Sequence, residues 1–226
     1  MAARKPTVRP PSILFAVALL GSLLGLGGCF LRGSGTELIE TREVEAFDSI
    51  DIGGAFELVV HVDPQAPQRV VVSGDDNVVP KIETTVTSGE LDVEIQRGMV
   101  RPELPMKVEV WVASLKELSA SGASDIEVEG LHGEVFELEL SGASKTVLRG
   151  SVDEFEVDSS GASDLDAREL TAKIVDIDLS GAGDAEVWAS DRLDADVSGA
   201  GSVRYYGETK EVHQDVSGAG SIVAGS

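Results

Sequence analysis

Cysteine is nearly absent: Cys29 is the single one in 226 residues. No intrachain disulfide framework and no cysteine-cluster metal site can be built from it. Positive charge is scarce as well, with 18 Lys and Arg against 40 Asp and Glu and a formal net charge of -22. Such a chain lacks the cationic face that displaces phosphate counterions, so no nucleic-acid partner is expected. Aromatic residues are only 4% of the chain, which leaves few stacking platforms for single strands or sugars. The three histidines, His61, His132 and His213, are dispersed, and none stands at a zinc-ligand spacing. What is present suffices for a core: hydrophobic residues make up 42%, above the range of disordered chains. The length fits one domain of ~100–200 residues plus a processed leader, or one elongated repeat domain.

Only one long apolar run occurs, Ile13 to Leu26, behind the basic residues Arg4, Lys5 and Arg9. A bilayer-spanning helix needs ~20 apolar residues, so this 14-residue run reads as the core of a signal peptide. It ends Leu26-Gly27-Gly28-Cys29, which resembles the lipobox of bacterial lipoproteins. The resemblance implies cleavage before Cys29 and acylation of its thiol and new amino group, giving a membrane partner through a lipid anchor. An ordinary cleaved signal and an uncleaved anchor are the alternatives. Removing residues 1–28 takes away three cations and no acid, so the formal charge moves from -22 to -25. Residue 30 is Phe rather than Asp, which implies outer-membrane sorting if the source cell has an outer membrane. Residues 29–42 are expected to be a lipidated tether with a Gly33-Ser34-Gly35 hinge, reaching at most roughly 40 Å.

An internal repeat dominates the remainder. Ser-Gly-Ala-Ser or Ser-Gly-Ala-Gly begins at Ser121, Ser141, Ser160, Ser180, Ser198 and Ser217, with strides of 20, 19, 20, 18 and 19 residues. Before each motif, apolar and acidic residues alternate. Phe136, Leu138 and Leu140 interleave with Glu137 and Glu139, and Val175, Ile177 and Leu179 with Asp176 and Asp178. Period-2 alternation of this kind is a half-buried strand. A second alternating stretch follows the motif through Ile126 and Val128, Leu165, and Val203 and Tyr205. Gly130, Gly150 and Gly207 then mark a second turn, where extra residues are expected to be tolerated.

A ~20-residue coil of short strands and glycine turns is the rung of a β-solenoid. No rung can bury its inner face alone, but stacking ~4.8 Å apart buries a continuous core and pairs the backbones. The predicted fold is therefore all-β: a single-stranded parallel β-helix over residues 43–226. Regular repeats fill 116–226. Irregular first rungs and a cap fill 43–115, with strands near 44–52, 56–62, 69–73, 82–87, 91–96 and 106–112.

Several pieces of the chain resemble the auto-transporter adhesin, head GIN domain family of bacterial envelope proteins. They are Phe47-Asp48-Ser49-Ile50 leading into Gly53-Gly54-Ala55-Phe56, then Gly74-Asp75-Asp76-Asn77, then Gly89-Glu90-Leu91, and the iterated Ser-Gly-Ala motif. The resemblance covers roughly residues 43–225. It implies a parallel β-helix and an adhesin-like role, and it brings no catalytic residues.

Catalytic patterns are weak. A nucleophile elbow needs Gly two residues after Ser124, where Ile126 stands. Gly199-Ala200-Gly201 and Gly218-Ala219-Gly220 lack the third glycine of a dinucleotide loop. Stacked in register, the rungs would instead align two acidic rows. Glu117, Glu137, Glu156, Asp176 and Asp194 form one; Glu139, Asp158, Asp178, Asp196 and Asp215 form the other, which Asp51 can extend. Charges ~4.8 Å apart repel by about 0.9 kcal/mol in water. The rows are thus a solvated, aggregation-resisting face, a basic protein partner's surface, or a place for divalent cations, Ca2+ foremost, at Glu137, Glu139, Glu156, Asp158, Asp176, Asp178, Asp194 and Asp196.

A shorter column, Asp125, Lys145, Asp164 and Asp184, is expected to form rung-to-rung ion pairs. It is also the basis for an alternative, a calcium-assisted polysaccharide lyase on a β-helix. Strides of 18–20 residues leave little room for the loops such a cleft would need. The favoured reading is a non-catalytic envelope lipoprotein, an adhesin-like or structural module whose partner is a glycan or an envelope protein. The last rung, near Ser217–Val223, offers an edge for strand addition.

Overall fold

The structure, a computed structural model, describes residues 30–226 except 97. The leader and Cys29 lie outside the described residues. Seventeen strands follow in chain order. The first nine are β1 Phe30–Arg32, β2 Glu37–Arg42, β3 Ser49–Gly54, β4 Glu57–Val62, β5 Arg69–Asp75, β6 Ile82–Thr87, β7 Glu90–Ile95, β8 Met99–Arg101 and β9 Lys107–Val112. The rest are β10 Glu117–Gly122, β11 Asp125–Gly142, β12 Lys145–Gly161, β13 Asp164–Gly181, β14 Asp184–Gly199, β15 Ser202–Tyr206, β16 Glu211–Gly218 and β17 Ser221–Ala224.

They wind into a β-solenoid of about five turns, as the repeat predicts. Every pairing within the repeats is parallel, and the stretches flanking the motifs are in motif register, which breaks only at the second turn. Leu118 lies against Leu138, Leu138 against Val157, Val157 against Ile177, and Ile177 against Ala195. The acid-rich stretches before the motifs form one sheet face, β7–β3–β10 continued by the second halves of β11 to β14 and by β16. The stretches after the motifs form a second face, β9–β4 continued by the first halves of β11 to β14 and by β15 and β17. Strands β11 to β14 run 16 to 18 residues because each bends from the second face onto the first while its backbone pairing continues.

The inward columns are the alternating apolar residues. Phe136, Leu138, Leu140, Val175 and Ile177 are buried, and the Phe136 and Phe155 rings stack with centroids 5.9 Å apart. Each such side chain contributes ~1.5–3 kcal/mol by leaving water. The corner between the faces is made by the motif itself. Ser124, Ser144 and Ser163 turn inward there and are buried. The Ser144 and Ser163 hydroxyls are 3.1 Å apart and the Ser124 hydroxyl donates to the Gly54 carbonyl at 3.3 Å. At Gly183 not even a Cβ is admitted, since it would sit 2.0 Å from the Ser163 carbonyl oxygen.

Residues 43–115 supply rungs and a cap, but not in sequence order. Strands β7 and β9 stack outside β3 and β4, although they follow them in the chain. The other edges of β3 and β4 are occupied by β10 and β11, so β7 and β9 take the edges that remain. Antiparallel strands then close that end: β6 on β7, β5 on β9, and β2 on β5. Antiparallel covers change the strand direction and end the parallel ladder, which protects an open sheet edge.

The expected tether at residues 29–42 is different. Residues 30–32 pair with Met99–Arg101, and residues 37–42 form the covering strand β2. The Gly33-Ser34-Gly35 segment between them is clamped. Asp75, fully buried, accepts from Gly35 N at 2.6 Å through one oxygen and from Glu103 N and Leu104 N at 2.9 and 3.1 Å through the other. Ser34 Oγ donates to Asp76 at 2.6 Å, and Asn77 Nδ2 donates to the Arg32 carbonyl at 2.8 Å. Three consecutive side chains thus hold a stretch whose composition alone reads as a hinge.

Candidate functional site

On the first face the side chains between the inward columns point to solvent. The register places Glu117, Glu137, Glu156, Asp176 and Asp194 in one row, ending at His213. The second row runs Asp92, Asp51, Ser119, Glu139, Asp158, Asp178, Asp196 and Asp215. All eight carboxylates singled out from the sequence stand in these rows. Asp92 joins them unforeseen, because β7 carries no Ser-Gly motif to align it. Ser119 interrupts the second row and its hydroxyl donates to Glu139 at 3.2 Å.

Beside the second row run the first serines of the motifs. Asp51, Glu139, Asp158 and Asp178 together with Ser121, Ser141, Ser160 and Ser180 line an open groove of about 460 Å3. Carboxylates accept and hydroxyls both donate and accept, so the groove offers a repeating, polar, hydrogen-bonding track.

Charge on this face is largely uncompensated. Arg192 pairs with Asp194 at 2.9 Å at the end of the first row. Burial, and after it the surrounding carboxylates, raises the pKa of five of these groups above the usual range. For Asp51 the main neighbours are Asp92 and Glu90; for Glu117, Glu137; for Glu156, Glu137 and Glu154; for Asp176, Asp194; for Asp178, Asp158 and Asp196. Like charges held in register make the ionised form costly.

The second face also carries acids, and several of them are paired with arginines. Arg149 reaches Glu127, Glu129 at 3.4 Å and Glu169 at 2.9 Å. Arg168 bridges Asp166 at 2.6 Å and Glu186 at 3.2 Å, and Arg204 meets Glu186 at 3.0 Å. The same face holds a stacked triplet across β4, β9 and β5, in which Trp111 lies between its register partners His61 and Arg69. The His61 ring stacks at 5.1 Å and the Arg69 guanidinium lies 3.7 Å from the indole. Low aromatic content concealed this platform, because the three residues are far apart in sequence.

The column Asp125, Lys145 and Asp164 is in register, but the expected ion pairs are not formed. Among the described residues, no carboxylate comes within 4.0 Å of the exposed Lys145 ammonium. Register alone does not make the pair: Arg149 and Arg204 reach their register partners Glu169 and Glu186, whose side chains are longer than the aspartates flanking Lys145. Nor, among the described residues, do three or more His, Cys, Asp or Glu converge on a point that could hold a metal ion. A ladder spaces its carboxylates along a line rather than around a centre. The far end of the solenoid is a bare edge, where Val216 and Val223 are 43% and 42% exposed.

Comparison with known proteins follows the fold. No curated protein matches the chain at a significant level. A "putative adhesin" from Bacteroides fragilis NCTC 9343 superposes with a TM-score of 0.71 at 22% identity, covering 86% of this chain and 99% of that one. A "putative adhesin" from Parabacteroides merdae ATCC 43184 gives 0.50 at 17% identity, covering 87% and 99%. A "putative lipid binding protein" from Parabacteroides distasonis ATCC 8503 also gives 0.50 at 17% identity, covering 88% and 100%. At these identities the likeness is one of fold. The family model matches directly in sequence, over residues 46–209, and the chain belongs to the family described as "putative auto-transporter adhesin, head GIN domain".

Proposed function

We propose that the protein is a non-catalytic, adhesin-like binding module held in the bacterial envelope by lipid on Cys29, and that it meets its ligand on the acidic first face. Membership of an adhesin family supports a binding role at the cell envelope or surface. The observation that carries the choice of face is its uncompensated register of carboxylates beside the serine-lined groove. On the opposite face three arginines, Arg149, Arg168 and Arg204, compensate part of the charge from rung to rung. The ligand is an extended envelope glycan or protein that brings positive charge of its own or shares divalent cations with the rows. Because a ladder does not converge on one ion, such cations act as mobile bridges rather than as a built centre.

The deciding experiment is retention of purified protein on envelope fractions, with and without chelator. Changing Glu139, Asp158 and Asp178 to the matching amides should abolish retention while leaving the fold intact by circular dichroism. Equal retention of the amide variant would move the binding surface elsewhere. Anchoring has a separate readout: Cys29→Ala should leave the chain unprocessed or release it from membranes.

A further inference from the structure

The short ribbon β1–β8 is a sheet of its own, apart from the solenoid walls. Its two strands are parallel and carry the same pattern, apolar, apolar, arginine. Phe30 lies against Met99, Leu31 against Val100, and Arg32 against Arg101. Alternation gives the ribbon two faces. Leu31 and Val100 are half-buried and pack on the core. Phe30, Met99, Arg32 and Arg101 all face solvent, with Met99 64% and Phe30 47% exposed. Met99 is the most exposed of the large hydrophobic side chains among the described residues. The Arg101 guanidinium sits 4.7 Å from the Phe30 ring, and Arg32 pairs with Glu103 at 2.7 Å. An apolar pair with two arginines therefore stands on a molecule whose net charge is -22.

The position of this patch is fixed by the covalent chain. Phe30 is the residue next to Cys29, and residues 13–26 just before it are the one long apolar run. The hydrogen bonds of Asp75, Asp76 and Asn77 hold residues 32–36 against the cap. Phe30, the sequence neighbour of Cys29, is therefore held on the domain.

We propose that the outer face of β1–β8 is a membrane-contacting foot. Phe30 and Met99 enter the headgroup–acyl boundary of the anchoring bilayer, and Arg32 and Arg101 meet lipid phosphates. Aromatic and aliphatic side chains flanked by arginines are the composition of interfacial segments, and arginine can bury its stem while its head stays at the phosphate level. The solenoid then stands cap-down on the membrane and presents its faces at a fixed height. The inference rests on the anchoring read for Cys29, and its test separates the two.

The full chain is expressed with native processing, purified in detergent and reconstituted into phosphatidylcholine–phosphatidylglycerol vesicles with or without brominated acyl chains. Mass spectrometry reports acylation. Met99→Trp reports the foot, and Val223→Trp on the far rung is the control against the parent's Trp111 and Trp188. Acylated Met99→Trp protein should show blue-shifted emission and bromine quenching above the parent, with Val223→Trp quenched no more than the parent. Acylated protein without excess quenching at position 99 overturns the foot and leaves the anchor standing. If the chain is not acylated, the anchor reading fails. Sedimentation with the same vesicles then decides the foot: binding lost in Met99→Ser/Arg101→Gln upholds it, and binding equal to the parent's, or none at all, overturns it.

Discussion

Asp75 shows how one side chain can change the meaning of a segment. Burial pushes its pKa up, but the backbone N–H groups of Leu104, Gly35 and Glu103 outweigh that and hold it below the usual carboxylate range. Asp75→Asn replaces an acceptor that serves three donors with one carbonyl and one amide that cannot accept. At least one buried N–H then lacks a partner, which is a recognised route to marked destabilisation. The expected outcome is a Tm lower by several degrees, together with faster proteolysis between residues 30 and 37, read by limited digestion and mass spectrometry. An unchanged digestion pattern would mean that the segment is held by β1 and β2 pairing alone. Gly142 makes a second case. Its φ is +131°, and an added Cβ would lie 2.2 Å from the Gly122 carbonyl oxygen. Gly133 has φ +144° with nothing within 4 Å of such a Cβ. Gly133→Ala should therefore cost ~1 kcal/mol from backbone strain alone. Gly142→Ala should cost at least ~2 kcal/mol more, since rung-to-rung contact is lost as well. Denaturant unfolding of the two variants measures the difference, and equal costs would show that corner packing is not what selects glycine.

Among the elements, the rung is the unit that matters. Leu140 sits in an inward column at 1% exposure, on a strand paired on both sides. Leu140→Asp would place an unpaired carboxylate in the stack and should cost more than ~4 kcal/mol, enough to unfold several rungs together. Loss of the cooperative circular-dichroism transition is the readout. The second turn is less permissive than its glycines suggest. Gly150 is paired with Leu131, and a Cβ there would meet the Leu131 carbonyl oxygen at 2.1 Å. Two residues inserted at Gly150 should therefore destabilise the fold. The same insertion beside Gly133, which is paired only with Val152, has open space around it and follows a break in register between Val128 and Leu131, should cost less. Spacing places turn glycines but does not say which of them touch the next rung.

For the molecule as a whole, the first face titrates differently from the cap. Asp51, Glu117, Glu156, Asp176 and Asp178 have raised pKa values in the folded state. The folded chain thus holds protons that the unfolded chain has released. Stability should rise as pH falls from 7 through those raised values towards the ordinary carboxylate range near ~4. Asp75 acts in the opposite sense. Below ~4 the unfolded chain takes up its proton first, and stability should fall. A Tm profile with its maximum on the acid side of neutrality is the expected result; a flat profile between pH 7 and 5 would mean that screening has already removed the repulsion. Cations test the same rows. Ca2+ and Mg2+ should raise Tm equally, and more than Na+ at matched ionic strength, because no cluster among the described residues selects one ion. A rise specific to Ca2+ would show a built site and would change the ligand chemistry expected of the acidic face.

The repeat by itself determined the solenoid. A stride of 18 to 20 residues with period-2 alternation has one economical burial, and motif register then places the carboxylates that precede each motif in two rows on one face. These are local and periodic properties, so the chain displays them directly. What only the tertiary structure decided are contacts between distant, non-repeating residues. Asp75, Asp76 and Asn77 close on residues 32–36 across some forty positions. Strands β7 and β9 slip outside β3 and β4, and the arginines of the second face find their acids from rung to rung. Nothing in composition or spacing encodes which edge remains free when a non-repeating strand arrives. That is settled by the backbone hydrogen bonds still unmade, and it turned an apparent tether into part of the fold.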